Sequence, residues 1–228
     1  MENRSIALDG PSGAGKSTMA RRTAAHFGLI YVDTGALYRC IGLFALRNKV
    51  SSKDEKAVTA LLPKIKLEMK YDAEGVQRML LCGEDVTDSI RTPEASIYAS
   101  DVSAMPSVRQ FLLSMQREMA VKYDVIMDGR DIGTVVLPDA GLKIYLTAEP
   151  SARAKRRYLE LLEKNVSVTY EEVENDMMIR DKNDSERAIA PLRPAEDSIL
   201  LDTTFLDPDE TFSALCGIIS ERFGGARP

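Results

Sequence analysis

The chain has 228 residues, 44 % hydrophobic and 29 % charged, with a formal net charge of −5. That length suits one domain with a sizeable core, and the acidic balance argues against a broad nucleic-acid-binding surface. No apolar run nears bilayer length and the N-terminus lacks a leader-type apolar stretch, so a cytoplasmic protein with no membrane partner is expected. Ile6-Ala7-Leu8 reads as a first buried strand and Met19–Phe27 as a helix ended by Gly28. Four more short, continuously apolar runs follow: Leu29–Val32, Asp124–Met127, Leu142–Leu146 and Ser198–Leu201. Helical stretches such as Ser107–Lys122 and Thr211–Phe223 separate them. Buried strands alternating with helices predict an α/β fold with a parallel sheet. Two regions break the rhythm. Lys64–Tyr71 alternates charged and apolar residues and meets Asp72–Gly75, and Gln77–Cys82 and Glu84–Thr87 follow across Gly83, which predicts an inserted antiparallel meander. Ser151–Asn165 is a strongly charged helix, and Gly224–Pro228 reads as a loose tail.

Between the first strand and the first helix stands Gly10-Pro11-Ser12-Gly13-Ala14-Gly15-Lys16-Ser17-Thr18, a complete G-x-x-x-x-G-K-[ST] string. Strand, glycine loop and helix N-terminus make a cradle of backbone N–H groups for phosphates. Gly10, Gly13 and Gly15 let the chain wrap the anion closely, since no Cβ intrudes. Lys16 is expected at the β- and γ-phosphates and the Ser17 hydroxyl on Mg²⁺. A chance match in a chain this long is on the order of one in a hundred. Nucleoside triphosphate binding follows.

Three further motifs sit where an open parallel sheet binds ligands, after strand ends. Asp33-Thr34-Gly35-Ala36-Leu37-Tyr38-Arg39 starts a helix capped by Asp33 or Thr34, with Arg39 in its early turns. Asp128-Gly129-Arg130-Asp131 begins a glycine-flanked segment running to Pro138. Asp128, at a strand end near a phosphate loop, suits Mg²⁺ held through water. Arg130 and Asp131 read either as an ion pair with each other or as ligand contacts. On the charged helix, Arg153 and Arg157 share a face with Arg156 beside them, which makes either a solvated face or a lid carrying cations to phosphate. Thr169-Tyr170-Glu171-Glu172 is a capping box. If its helix runs past residue 184, Arg180, Asp184 and Arg187 fall on one face. They then form a structural ladder or a site for phosphate and sugar hydroxyls. His26, the single histidine, reads as a structural cation near a helix C-terminus. Cys40, Cys82 and Cys216 are scattered and lack metal-ligand spacing, which suggests free thiols in a reducing compartment. Of the 30 basic residues 18 are arginine, the better bidentate partner for phosphate.

The phosphate loop, D-T-G-A-L-Y-R at 33–39, D-G-R-D-I-G-T-V-V-L-P at 128–138, R-A-K-R-R at 153–157 and R-D-x-x-D-x-x-R at 180–187 followed by Ala-Pro-Leu together resemble the bacterial cytidylate kinases. The resemblance runs in order from residue 5 to about residue 204. It implies a P-loop kinase fold: a central parallel sheet flanked by helices, an inserted antiparallel nucleoside-monophosphate-binding subdomain and a short helical lid. The implied single domain has its core at 1–33, 100–150 and 186–228, the insertion at about 34–99 and the lid at about 151–185. It implies ATP as phosphoryl donor with Mg²⁺, CMP and dCMP as acceptors, and a monomer. Thr34, Arg39, Arg130 and Arg187 match positions that hold the monophosphate. Ser100, Arg109 and Asp131 match those that read cytosine, and Arg180 and Asp184 match those at the ribose. Arg153 and Arg157 look like the lid arginines. With Lys16, Arg130 and Arg187 they form the implied catalytic set. No base is needed, because a phosphate acceptor oxygen is already anionic. Kinases for UMP, dTMP or shikimate are the nearest alternatives. A GTP-binding switch is the distant one: a D-x-x-G string lies at Asp72–Gly75, but inside the polar meander, and no N-K-x-D string appears.

Overall fold

The computed structural model describes residues 4–163 and 165–225. In chain order it runs β1 (Ser5–Asp9), α1 (Lys16–Phe27), β2 (Ile30–Asp33), α2 (Thr34–Arg47), α3 (Glu55–Leu61), β3 (Leu67–Tyr71), β4 (Gln77–Leu81) and β5 (Glu84–Asp85). It continues with α4 (Pro93–Ser103), α5 (Pro106–Lys122), β6 (Val125–Gly129), β7 (Leu142–Thr147), α6 (Pro150–Glu163), α7 (Tyr170–Glu186), β8 (Ile199–Asp202) and α8 (Pro208–Phe223). No described helix is long and apolar enough to cross a membrane. Lys164 of the expected charged helix and residues 226–228 of the expected tail lie outside the described residues.

All five apolar runs become strands of one sheet, in the order β2-β6-β1-β7-β8. Parallel pairing joins β1 to β6 and β7, and β7 to β8. The central strands have no wet face, which is why they read as continuous apolar runs: Ile6, Ala7, Leu8, Val125, Ile126 and Met127 are all fully buried. The register aligns Asp9 with Gly129 on one side and with Tyr145 on the other. The C-terminal ends of β6, β1 and β7 therefore lie side by side, and the segments that leave them converge.

The chain divides into two compact units, one formed by residues through Ile30 with those from Tyr123 onward, the other by Tyr31–Lys122. The second unit holds the meander as a three-stranded antiparallel sheet, β3-β4-β5. Cys82 and Gly83 turn β4 into β5, both with positive φ (52° and 88°), as a two-residue hairpin requires. This unit runs past the expected insertion end at residue 99, a position inside α4. The reason is packing: Leu37, Ile41, Ala99, Val102, Val108 and Leu112, from α2, α4 and α5, share one apolar cluster with Met79 and Leu81 of the meander.

Candidate active site

The phosphate loop follows β1 as expected, and two of its glycines are structurally required. Gly10 has φ 149°, and a Cβ there would lie 2.0 Å from the Leu146 carbonyl oxygen. Gly13 has φ 72°, and its Cβ would press on Met177 Cε at 2.5 Å. Lys16 is buried, and its ammonium donates to the Pro11 carbonyl at 2.7 Å. Burial, and then the nearby Arg130, push its pKa well below the ordinary lysine value. A polyphosphate in the loop would supply the negative charge that reverses this. Ser17 Oγ donates to Asp128 Oδ2 at 2.6 Å, and Asp128 is 4 % exposed at the end of β6. Two hard oxygen ligands at the loop, one of them charged, suit Mg²⁺, which keeps most of its own water. Among the described residues no cluster of three or more His, Cys, Asp or Glu offers a fuller metal cage.

Arg130 and Asp131 do not pair with each other. Arg130 Nε donates to Asp184 Oδ2 at 2.8 Å, while Arg187 donates to Asp131 Oδ1 at 3.2 Å. The two ion pairs cross from the segment after β6 to the end of α7. The expected face of Arg180, Asp184 and Arg187 is likewise corrected. Helix α7 stops at Glu186, and Arg187 is extended (φ −62°, ψ 139°). Leu192 N–H then returns to the Asp184 carbonyl, and Arg187 Nε donates to the carbonyl of Ala190. Ala190 itself holds a left-handed φ of 49°, a strained conformation of the kind found near binding sites. Burial opposes ionisation of Asp184, but Arg130, Arg180 and Arg187 outweigh it and hold its pKa below the usual carboxylate value.

Helices α6 and α7 pack together around Ala154, Val173 and Met177, and the Thr169–Glu172 capping box is present. The three arginines of α6 have separate partners. Arg153 is 5 % exposed and donates to the Ser12 carbonyl at 2.8 Å and to Asp181 at 2.5 Å. Asp181 in turn accepts the Ser12 N–H at 3.2 Å, so a carboxylate sits on the phosphate loop. Arg156 holds Thr203 and Leu206 beyond β8. Arg157 is half-exposed and pairs with Glu160 at 2.8 Å. The solvated-face reading therefore fails for Arg153 and Arg156.

In the second unit, Asp33 caps α2 by accepting the Ala36 N–H, and it pairs with Arg39 at 2.7 Å. Thr34 is buried at the first turn of the same helix. Gln77, which the sequence did not single out, exchanges hydrogen bonds with the backbone of Asp33 and pins the strand end. Arg109 is buried, donates to the Ser103 carbonyl at 3.0 Å and lies 5.7 Å over the Tyr38 ring. Ser100 sits one turn earlier on α4, its carbonyl bonded by the Ser103 hydroxyl. His26 meets Phe27 and Phe212 edge-on, as a structural group. The three cysteines are free, and burial raises the Cys40 thiol to about 12.

Sequence reading also passed over Asp9, the last residue of β1. It is 5 % exposed and accepts the N–H groups of Ile132 and Gly133 at 2.8 and 2.7 Å. Burial raises its pKa from 3.8 to about 6; the two N–H bonds and Lys16 oppose the rise, and Asp131 adds to it. A folded-state pKa above the unfolded one means that folding takes up a proton between those values. Stability from this group is fullest below the window and falls as pH rises through it, by about 3 kcal/mol for the whole shift. Urea unfolding of Asp9→Asn at pH 4.5 and pH 7 should therefore show a smaller loss with rising pH than the wild type. An unchanged loss would contradict the assignment.

A family model described as cytidylate kinase matches residues 6–221. A cytidylate kinase of Caldicellulosiruptor bescii is 50 % identical over 210 residues, 92 % of this chain and 92 % of that protein. One of Lactobacillus gasseri is 48 % identical over 217 residues, 95 % of this chain and 94 % of that protein. Among solved structures, an uncharacterized protein from Eubacterium ventriosum ATCC 27560 matches with a TM-score of 0.54 at 13 % identity, over 96 % of this chain and 100 % of that one. That likeness concerns the fold alone.

Proposed function

The chain belongs to the cytidylate kinase family, and from that premise we propose that it transfers the γ-phosphoryl group of ATP to CMP, and to dCMP, giving the diphosphate and ADP. One observation carries the reading most: the ends of β1, β6 and β7 bring together the phosphate loop with Lys16, the Ser17–Asp128 pair, the crossed Arg130–Asp184 and Arg187–Asp131 pairs, and Arg153. A GTP-switch reading has no comparable support, since its guanine motif is missing.

The loop backbone from Gly10 to Thr18 holds the triphosphate, and Lys16 spans its outer phosphates. Ser17, and Asp128 through water, would hold Mg²⁺, which would supply positive charge to the transferring group. Thr34, Arg39, Arg130 and Arg187 bind the monophosphate. Ser100, Arg109 and Asp131 read cytosine, and Arg180 and Asp184 hold the ribose. Residues 151–185 act as the lid, with Arg153 and Arg157 on the transferring phosphoryl. Catalysis then consists of alignment and charge stabilisation, without a general base. We place the protein in the cytoplasm as a monomer without nucleic-acid or membrane partners.

Cytosine presents an amino donor at N4, which a carboxylate accepts; uracil presents an acceptor there and leaves the carboxylate facing like charge. Asp131→Asn is therefore expected to lower the CMP/UMP ratio of kcat/KM, on the order of 10-fold or more. An unchanged ratio would make the Arg187–Asp131 pair purely structural. Among the described residues, Arg157 pairs with a neighbour on its own helix. As a lid cation it acts on charge shifting in the transition state, so Arg157→Ala should lower kcat on the order of 10²-fold with a much smaller change in the KM for CMP. Wild-type kcat would return Arg157 to a solvated helix face. The acceptor itself is tested by initial rates with ATP, Mg²⁺ and CMP, dCMP, UMP, dTMP or shikimate in turn. CMP and dCMP should lead, and a faster rate on any other acceptor would overturn the assignment.

A further inference from the structure

The turn that follows Asp131 is capped by a residue from elsewhere. Residues Ile132–Val136 form a single wide helical turn, with Val136 N–H reaching the Asp131 carbonyl at 3.2 Å and Leu137 N–H reaching that of Ile132 at 2.7 Å. Wide turns of this kind recur at functional sites. Asp131 occupies the N-cap position, and aspartate there ordinarily folds its carboxylate back onto the first free N–H groups. It does not do so: its side chain makes no cap bond, and its Oδ1 accepts from Arg187 instead. The cap comes from Asp9, more than 120 residues earlier, whose two oxygens separately accept the first two N–H groups of the turn.

The substitution of one carboxylate for another has a physical cost. Asp9 is buried in a site that disfavours its charge, with the like charge of Asp131 nearby and Lys16 as the opposing cation; Tyr145 also feels its field. Gly133 lies so close that a Cβ there would stand 3.4 Å from Asp9 Oδ2 and 3.1 Å from the Lys143 side chain. A buried carboxylate held against its own desolvation points to a task other than stability.

We propose that Asp9 is a positioning residue for base selection: it caps the 132–136 turn in place of Asp131, which lets the Asp131 carboxylate pair with Arg187 and face the base. Because Asp9 also precedes Gly10, the same side chain joins the phosphate loop to the base-reading segment. This inference rests on the reading of Asp131 as the cytosine-selecting group. Without Asp9, two N–H groups lose their acceptor, and Asp131, at the N-cap position, is the residue whose type ordinarily folds back onto them.

The experiment compares the wild type, Asp9→Asn, Asp131→Asn and the double variant on CMP and UMP, with the KM for ATP measured in each. Asparagine keeps the shape of Asp9 but offers one acceptor where two are needed. Asp9→Asn should lower the CMP/UMP ratio of kcat/KM at least five-fold, and the double variant should match Asp131→Asn alone, since both changes act through one carboxylate. The KM for ATP should not rise, because removing a negative charge beside Lys16 does not weaken anion binding. A smaller fall in the ratio, an equal rise in the KM for ATP and CMP, or additive losses in the double variant would overturn the proposal. If Asp131→Asn lowers the ratio and Asp9→Asn does not, Asp9 alone is misassigned. If neither does, the reading of Asp131 fails and takes this inference with it. Should Asp9→Asn not fold, Asp9→Ser, which also offers a single acceptor, is held to the same criteria.

Discussion

Lys16→Ala is expected to reduce phosphoryl transfer on the order of 10³-fold while the fold survives. The ammonium is the cation built into the phosphate loop, and its charge is held at low stability by burial and by Arg130. Its partner in the structure is the Pro11 carbonyl at 2.7 Å. Removing the side chain therefore leaves one backbone acceptor to find water, a loss of about 1–3 kcal/mol at most. The chemical step, in contrast, loses the group that meets charge on the outer phosphates. Circular dichroism and steady-state kinetics on the same preparation separate the two effects. Near-normal turnover in a folded variant would remove the phosphate loop from the mechanism.

Arg130→Ala is expected to damage both stability and turnover. Its guanidinium pairs with Asp184, whose side chain is 9 % exposed. Breaking a buried pair by removing one partner leaves an uncompensated charge, at about 3–5 kcal/mol. Arg180 and Arg187 also act on Asp184, so the loss should fall at the lower end of that range. If Arg130 also holds the monophosphate, kcat/KM for CMP falls on the order of 10²-fold beyond any loss of folded protein. Measuring kcat/KM well below the melting temperature removes the stability term. A destabilised variant with wild-type kcat/KM would show that the crossed pairs serve the fold alone.

Much of the core was legible because its strands are buried on both faces. Ile6–Leu8 and Asp124–Met127 have no polar face to disguise them, and the capping box at Thr169 marked the start of α7. The meander was legible for the opposite reason: charged and apolar residues alternate through its first strand, and Gly75 and Gly83 mark its turns. Partnerships were harder. Arg130 and Asp131 are adjacent in sequence, yet each pairs across more than 50 residues, because the sheet order brings the end of α7 to the end of β6. The role of Arg153 was only half visible: its charge could be read, but its contact with Ser12 and Asp181 depends on tertiary packing. Asp9 had one local signal, a charged residue closing an apolar strand directly before the loop glycine. Its partners, Ile132 and Gly133, carry no side-chain mark at all, since only their backbone N–H groups are used.

The central claim is that the γ-phosphoryl group of ATP moves to CMP on this chain. It is tested most directly by incubating the protein with Mg²⁺ and ATP labelled in the γ-phosphate, with and without CMP, and separating the products. The account predicts that label appears in CDP only when CMP is present, with little released as inorganic phosphate in its absence. Label released as inorganic phosphate at the same rate with or without CMP, and none in CDP, would contradict it.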